Sequence, residues 1–263
     1  MNEQHDGLPL AGRRILVVGA SGGIGGAIVE MLGRRGVQLL VSSYDGERLA
    51  RLCDRWTSDG LEIVEAIPCD LTDPASIKTA FGAVSADGVV FAAGVGASGR
   101  PIGGCTREEI DATLMINAAA PVYVLNAMLP GLVLAPFADV VLIGSTVALY
   151  PTGGALYGAS KSATHMLACN LRLELEDESV RVIEVAPGRV RTDLFRRARG
   201  DDGAQEILRR ASEFLDPDDV ANCVSFALSM PRHVQVNVLE VVPSNQILGG
   251  SRMSKTPDKK IIR

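Results

Sequence analysis

Short aliphatic runs alternate with helical patterns along nearly all of this 263-residue chain, and no other feature restricts the fold as strongly. Ile15–Val18, Val37–Val41, Glu62–Ile67, Val89–Ala93, Val140–Ile143, Val180–Val185 and Val236–Val242 read as strands. Helical patterns fall between them at Gly23–Arg35, Glu47–Arg55, Pro74–Val84, Arg107–Leu134, Ala155–Glu176 and Pro217–Ser229, with a basic helical stretch after the sixth strand. This alternation requires parallel strands joined by right-handed crossovers. The strands are near-continuous aliphatic runs, as expected when both sheet faces are covered. The expectation is an α/β fold, one doubly wound parallel sheet of about seven strands with helices on both faces. No linker or repeat divides the chain, which predicts a single domain over 1–263, with its core at 11–245 and a polar tail at 251–263.

Composition narrows the function. Hydrophobic residues make up 47% of the chain and aromatic ones 4%, so the core is aliphatic. A net charge of −5 argues against a nucleic-acid partner or a polybasic membrane contact. The first residues are polar and lack the apolar stretch of a signal peptide. Residues 114–138 carry no charge and have the length of a membrane span, but Asn117, Pro121, Asn126, Pro130 and Pro136 interrupt them; a buried helix followed by a loop is the reading. Five cysteines, none in a Cys-x-x-Cys pair, suit buried thiols in a reducing cytoplasm. Three histidines, none at metal-ligand spacing, predict a site without metal.

In such a sheet, ligands bind beyond the carboxyl ends of the strands, near the point where strand order reverses. There the first strand runs into Gly19-Ala20-Ser21-Gly22-Gly23-Ile24-Gly25, which opens a helix. Glycine supplies the backbone angles of a tight turn and lets the main chain approach a pyrophosphate resting on the helix N-terminus. The motif alone is also compatible with a ligand-free turn; its place after the first strand favours a dinucleotide site of the Rossmann type. The end of the second strand sorts the nicotinamide dinucleotides, because an acid there binds the ribose hydroxyls of NAD and repels the 2′-phosphate of NADP. Ser43 holds that position and favours NADP(H) over NAD(H). Tyr44 stands where an arginine would clinch NADP, and Asp45 keeps NAD(H) open.

Tyr157 and Lys161 lie four residues apart at the start of a helix and share one face. A tyrosine ordinarily titrates near ~10, and an adjacent ammonium stabilises the phenolate and lowers that value. Such a tyrosine exchanges a proton with a carbonyl or alcohol oxygen. Ser145, at the end of the fifth strand, is placed to orient the same oxygen, and Asn117, in the long preceding helix, to hold a water between the lysine and solvent. The alternative is a chance pair on a helix, against which the glycine loop and Ser145 weigh.

With these residues the sequence resembles the single-domain branch of the short-chain dehydrogenase/reductase family, over about residues 11–245. Gly19, Gly23 and Gly25 match the cofactor glycines, with Ser21, Gly22 and Ile24 in the same loop and Ala93 and Gly94 after the fourth strand. Asp70-Leu71 matches the acidic–aliphatic pair that contacts adenine. Asn117, Ser145, Tyr157 and Lys161 match the catalytic tetrad. Pro187-Gly188-Arg189-Val190-Arg191-Thr192 matches the Pro-Gly segment, whose threonine contacts the nicotinamide carboxamide. The resemblance implies an NAD(P)-dependent oxidoreductase interconverting a secondary alcohol and a ketone. It also implies a homodimer or homotetramer paired through the long uncharged helix and the Tyr157 helix. Two departures stand out: Ala92 replaces the family's asparagine, and the Ser145-to-Tyr157 spacing is one residue short. Rival readings are a sugar-type epimerase or dehydratase using the same Tyr/Lys pair, and a non-catalytic dinucleotide-binding regulator.

Residues 189–210 hold seven arginines (189, 191, 196, 197, 199, 209, 210) against four acids (193, 201, 202, 206) in a chain of net negative charge. This favours an anionic substrate, a carboxylate or a carrier-bound ester, with a solvated lid face as the alternative. Val95, Val147, Leu149, Tyr150 and Phe195 are the expected pocket lining. Leu239–Gln246 resembles the ending of the family's 3-hydroxy-acid dehydrogenase group, which points to a small hydroxy acid or a related ketone, with a secondary-metabolite ketone as a further alternative.

Overall fold

The computed structural model describes residues 9–151, 154–194, 196–198, 200–202 and 213–249; the tail expected at 251–263 lies outside them. The aliphatic runs form β1 (Arg14–Val18), β2 (Gln38–Ser43), β3 (Ile63–Pro68), β4 (Gly88–Phe91), β5 (Ala138–Ile143), β6 (Val180–Pro187) and β7 (Val238–Val241). They make one seven-stranded sheet in the order β3-β2-β1-β4-β5-β6-β7, and every pairing is parallel. Strand order reverses between β1 and β4, which places the ligand crevice there. Every residue of β4, β5 and β6 is buried, which accounts for their largely apolar composition; Asp139, Arg181 and Glu184 are the charged exceptions in them.

The connections are α1 (Gly23–Gly33), α2 (Gly46–Ser58), α3 (Pro74–Phe81), α4 (Arg107–Leu114), α5 (Ala120–Leu134), α6 (Thr146–Leu149), α7 (Ala155–Glu174) and α8 (Pro217–Leu228). One core lies between the sheet and α1 and α8, with Ile15, Val17, Ile28, Ile183 and Val224 in contact. The other lies on the opposite face, where Leu16, Val140, Phe81, Met128 and Leu171 meet. Covering both faces buries the sheet, the main stabilising term for a parallel fold.

α4 continues through a five-residue π turn, Met115–Ala119, into α5, so 107–134 is one helix followed by the loop that holds Pro136. Pro121 occupies the first turn of α5, and Pro130 lies inside it without ending it. This helix is long and apolar enough to cross a membrane, yet Val124, Leu125, Met128 and Leu132 are buried in the second core.

Candidate active site

Beyond β1 the chain turns at Gly19, where φ is +86°, a left-handed angle that side-chain-bearing residues rarely adopt. A Cβ on Gly19 would stand 2.6 Å from the Ala93 nitrogen, so the loop lies directly on the backbone that follows β4. A side chain on Gly25 would overlap the Gly19 carbonyl. Gly22 caps α1 without a side-chain hydrogen bond, and the first turn of the helix holds no acid. A Cβ on Gly23 would meet Thr192 Cγ2 at 2.9 Å, which brings the Pro-Gly segment after β6 over the same loop. An open backbone cradle at an uncapped helix N-terminus fits a dinucleotide pyrophosphate.

Ser21 and Ser43 place their hydroxyls 2.5 Å apart and join this loop to the end of β2. Ser43 is buried, whereas Tyr44 is 81% exposed. Asp45 caps α2, accepting from the Arg48 N–H at 2.9 Å. The acid that left NAD(H) open in the sequence is therefore engaged with its own helix. Ile24 packs on the first core. Asp70, after β3, is exposed; it accepts from the Thr72 hydroxyl at 2.7 Å and the Thr72 N–H at 2.8 Å, which holds its carboxyl below the usual range. Leu71 beside it is buried.

Ser145 follows β5 as the N-cap of α6 and is buried. It accepts from the Val147 N–H at 3.4 Å and donates to the Pro187 carbonyl at 3.5 Å. Tyr157, in the first turn of α7, is half-buried; desolvation pushes its phenol up to about 12, and a hydrogen bond with Ser145 opposes the rise. Lys161 follows one turn later, buried, with Nζ donating to the Ile143 carbonyl at 2.9 Å. Desolvation brings its ammonium down to about 8, and the charge of Glu184 opposes that fall. In the polypeptide by itself, the expected lowering of Tyr157 by Lys161 is not seen: loss of solvation around the phenol is the larger effect.

Asn117 lies buried in the π turn of the long helix. Its Nδ2 donates to the Val95 carbonyl at 2.9 Å and to Ser160 Oγ at 3.1 Å, and its Oδ1 accepts from the Val95 N–H at 2.9 Å. Its own carbonyl accepts from Thr164 at 2.7 Å. A Cβ on Gly94 would sit 3.4 Å from Asn117 Oδ1 and 3.6 Å from Lys161 Nζ, so the three residues meet. The side chain is thus a clamp on the loop after β4, a role not anticipated from the sequence. Ala92 packs on the first core and its N–H bonds the Val18 carbonyl, while Asn117 holds the chain three residues on.

Val95, Val147 and Leu149 are half-buried near these groups. Tyr150 donates to Glu240 on β7 at 3.1 Å, and its hydroxyl is thereby anchored there. Phe195, Arg199, Glu206, Arg209 and Arg210 lie outside the described residues. Within the basic stretch, Arg191 pairs with Asp216 at 3.4 Å and Arg196 with Asp193 at 3.2 Å. Arg189 makes no ion pair among the described residues, and its buried Nε has no hydrogen-bond partner there. Its backbone N–H donates to Gln246 at 2.9 Å, and Gly188 packs on the same amide. Gly188 also donates to the Val241 carbonyl at 2.8 Å, while Val190 is buried on the first core.

The short chain dehydrogenase family model matches residues 13–203, and the chain belongs to that family. Its class of activity is that of a dehydrogenase. The NADP-dependent 3-hydroxy acid dehydrogenase YdfG of Shigella flexneri is 31% identical over 244 residues, which span 90% of this chain and 97% of that protein. The protein of the same name from Escherichia coli K12 gives the same identity and coverage. A solved structure described as the closed form of serine dehydrogenase complexed with NADP+ is similar at a TM-score of 0.82 and 30% identity, covering 92% of this chain and 99% of that one.

Proposed function

We propose that this enzyme interconverts the hydroxyl of a small 3-hydroxy acid and the corresponding ketone, with NADP(H) as its cofactor. The observation that carries the reading is the convergence of Ser145, Tyr157 and Lys161 beyond β5, with Lys161 next to Gly94 in the turn that packs on the Gly19 loop. In the oxidative direction Tyr157 receives the hydroxyl proton of the substrate, and in the reductive direction it returns one. Ser145 donates to the same substrate oxygen and holds it against the tyrosine. With a cofactor bound, the Lys161 ammonium would stabilise the phenolate and hold the ribose. Asn117, through Val95 and Ser160, keeps the lysine's surroundings in register. A bound nicotinamide supplies the donor or acceptor of the hydride at the substrate carbon.

Buried Ser43, with Asp45 engaged in capping, supports NADP(H), as do relatives named NADP-dependent. Gly19, Ser21, Gly22, Gly23, Ile24 and Gly25 would cradle the pyrophosphate, Asp70 and Leu71 the adenine, and Thr192 the carboxamide. Arg189, two residues beyond Pro187 and without an ion pair among the described residues, is the group we assign to the substrate carboxylate. A cytoplasmic location is part of this reading, and the free cysteines support it. A second copy of the chain would cover Val122 and Tyr123 of α5 with Met166 and Leu173 of α7, all exposed, and light scattering that shows only monomer would contradict it.

The test is NADPH formation by the purified protein on short 3-hydroxy acids, serine among them. The reading expects turnover, with NADP preferred over NAD by about tenfold or more. It also expects Arg189→Met to raise KM about tenfold while leaving kcat within about twofold. No turnover on any hydroxy acid, or turnover with NAD alone, contradicts it.

A further inference from the structure

β6 carries one acid in its buried run: Glu184, fully buried, between Ile183 and Val185, on the same strand as Arg181, which is engaged by Asp139. Its register partner on β5 is Leu142, and two residues later Gly144 has no side chain because the Glu184 carboxylate fills that space. The Lys161 ammonium bonds the carbonyl of Ile143, the residue immediately before Gly144. Carboxylate and ammonium therefore lie against adjacent residues of one strand end. Glu184 Oε2 meets His165 Nδ1 at 2.6 Å, while Oε1 accepts no hydrogen bond among the described residues. His165 lies one helical turn beyond Lys161 on α7, as Lys161 lies one turn beyond Tyr157. A buried carboxylate half bonded and half bare is costly unless a nearby cation answers it.

We propose that Glu184 is a positioning residue for the reaction: held by His165, it is the counter-charge that keeps Lys161 protonated beneath the active site. The inference rests on the role given to Lys161 above. Other charged groups around Glu184 are few. On α7, Cys169 and Arg172 lie beyond His165, with the sulfur 3.7 Å from His165 Nε2 and from an Arg172 nitrogen. On β7, Glu240 is engaged by Tyr150. β5 contributes only Leu142, Ile143 and Gly144 here. Lys161, with its proton loss already brought down to about 8 by desolvation, loses its one opposing charge if Glu184 is neutralised. Fewer lysines then carry a proton at any pH above neutrality.

The experiment compares wild type, Glu184→Gln and Glu184→Asp in the full chain, with two readouts. One is the pH at which Lys161 becomes half reactive toward an amine-acylating reagent, followed by peptide mass spectrometry. The other is the pH profile of NADPH formation. In Glu184→Gln the Lys161 midpoint falls by about one pH unit, and Glu184→Asp retains most of the wild-type value. Turnover of Glu184→Gln stays within about twofold of wild type at pH 6 and falls about tenfold below it at pH 9, with KM for the hydroxy acid unchanged. Should Glu184→Gln not accumulate as folded protein, Glu184→Leu makes the same comparison, since an apolar residue in a buried ion's place is often tolerated. An unchanged Lys161 midpoint in Glu184→Gln or Glu184→Leu overturns the inference. Wild-type turnover in Lys161→Met overturns instead the role of Lys161, and the acylation midpoints distinguish the two failures.

Discussion

Beyond β1 and β2 the cleft is shaped by side chains that are missing, and beyond β5 and β6 by side chains that are buried. On the first side, Gly19, Gly23 and Gly25 keep the main chain clear, and the Ser21 and Ser43 hydroxyls join the loop to the end of β2. On the second, Ser145, Lys161, Asn117 and Glu184 are all buried, and each is tied to backbone or to another side chain. The difference teaches where each half can fail. Added atoms break a cradle made of clearance and so strike binding. Isosteric changes leave the packed half standing and strike chemistry.

The largest separation comes from Lys161→Met. Turnover should fall about a thousandfold with the melting temperature little changed; a loss under tenfold breaks the division. Gly19→Val should do the reverse. A branched side chain at a left-handed φ, against Ala93, costs about 1–3 kcal/mol in strain alone and should weaken NADPH binding about a hundredfold by fluorescence titration. Unchanged affinity would mean that clearance is not what shapes this side. Asn117→Ala removes three hydrogen bonds and strands the Val95 backbone groups, lowering stability by about 1–3 kcal/mol in urea unfolding. A neutral result would show that the loop after β4 holds without its clamp. Ser43→Asp is the mildest: NADPH affinity falls about tenfold and NADH affinity rises, and equal affinities before and after would remove Ser43 from cofactor choice.

Most of the fold was legible because it rests on local pattern. Aliphatic runs of strand length and the turns between them fall where the strands are, and parallel crossovers leave few ways to order them. Gly19, Tyr157 and Lys161 were legible for the same reason, since their spacing along one element carries the signal. The π turn at Met115–Ala119 was not, because nothing in its composition separates it from ordinary helix. Nor were the partners that complete the site. Ser160 and Thr164 act on Asn117 across more than forty residues, and Gln246 acts on Arg189 across 57. Such contacts exist only once the sheet is assembled. Glu184 left one local trace, the lone acid inside a mostly aliphatic strand, and its meaning came from Gly144 and His165 at its side. The phenol of Tyr157 was read as lowered, whereas burial raises it, because desolvation depends on packing that spacing does not reveal.

The central claim, that one half of the cleft binds and the other reacts, is tested most directly in Tyr157→Phe by measuring NADPH affinity and hydroxy-acid turnover on the same preparation. The account predicts affinity within about twofold of wild type and turnover down about a thousandfold. Turnover near wild type, or affinity and turnover lost together in a folded protein, would contradict it.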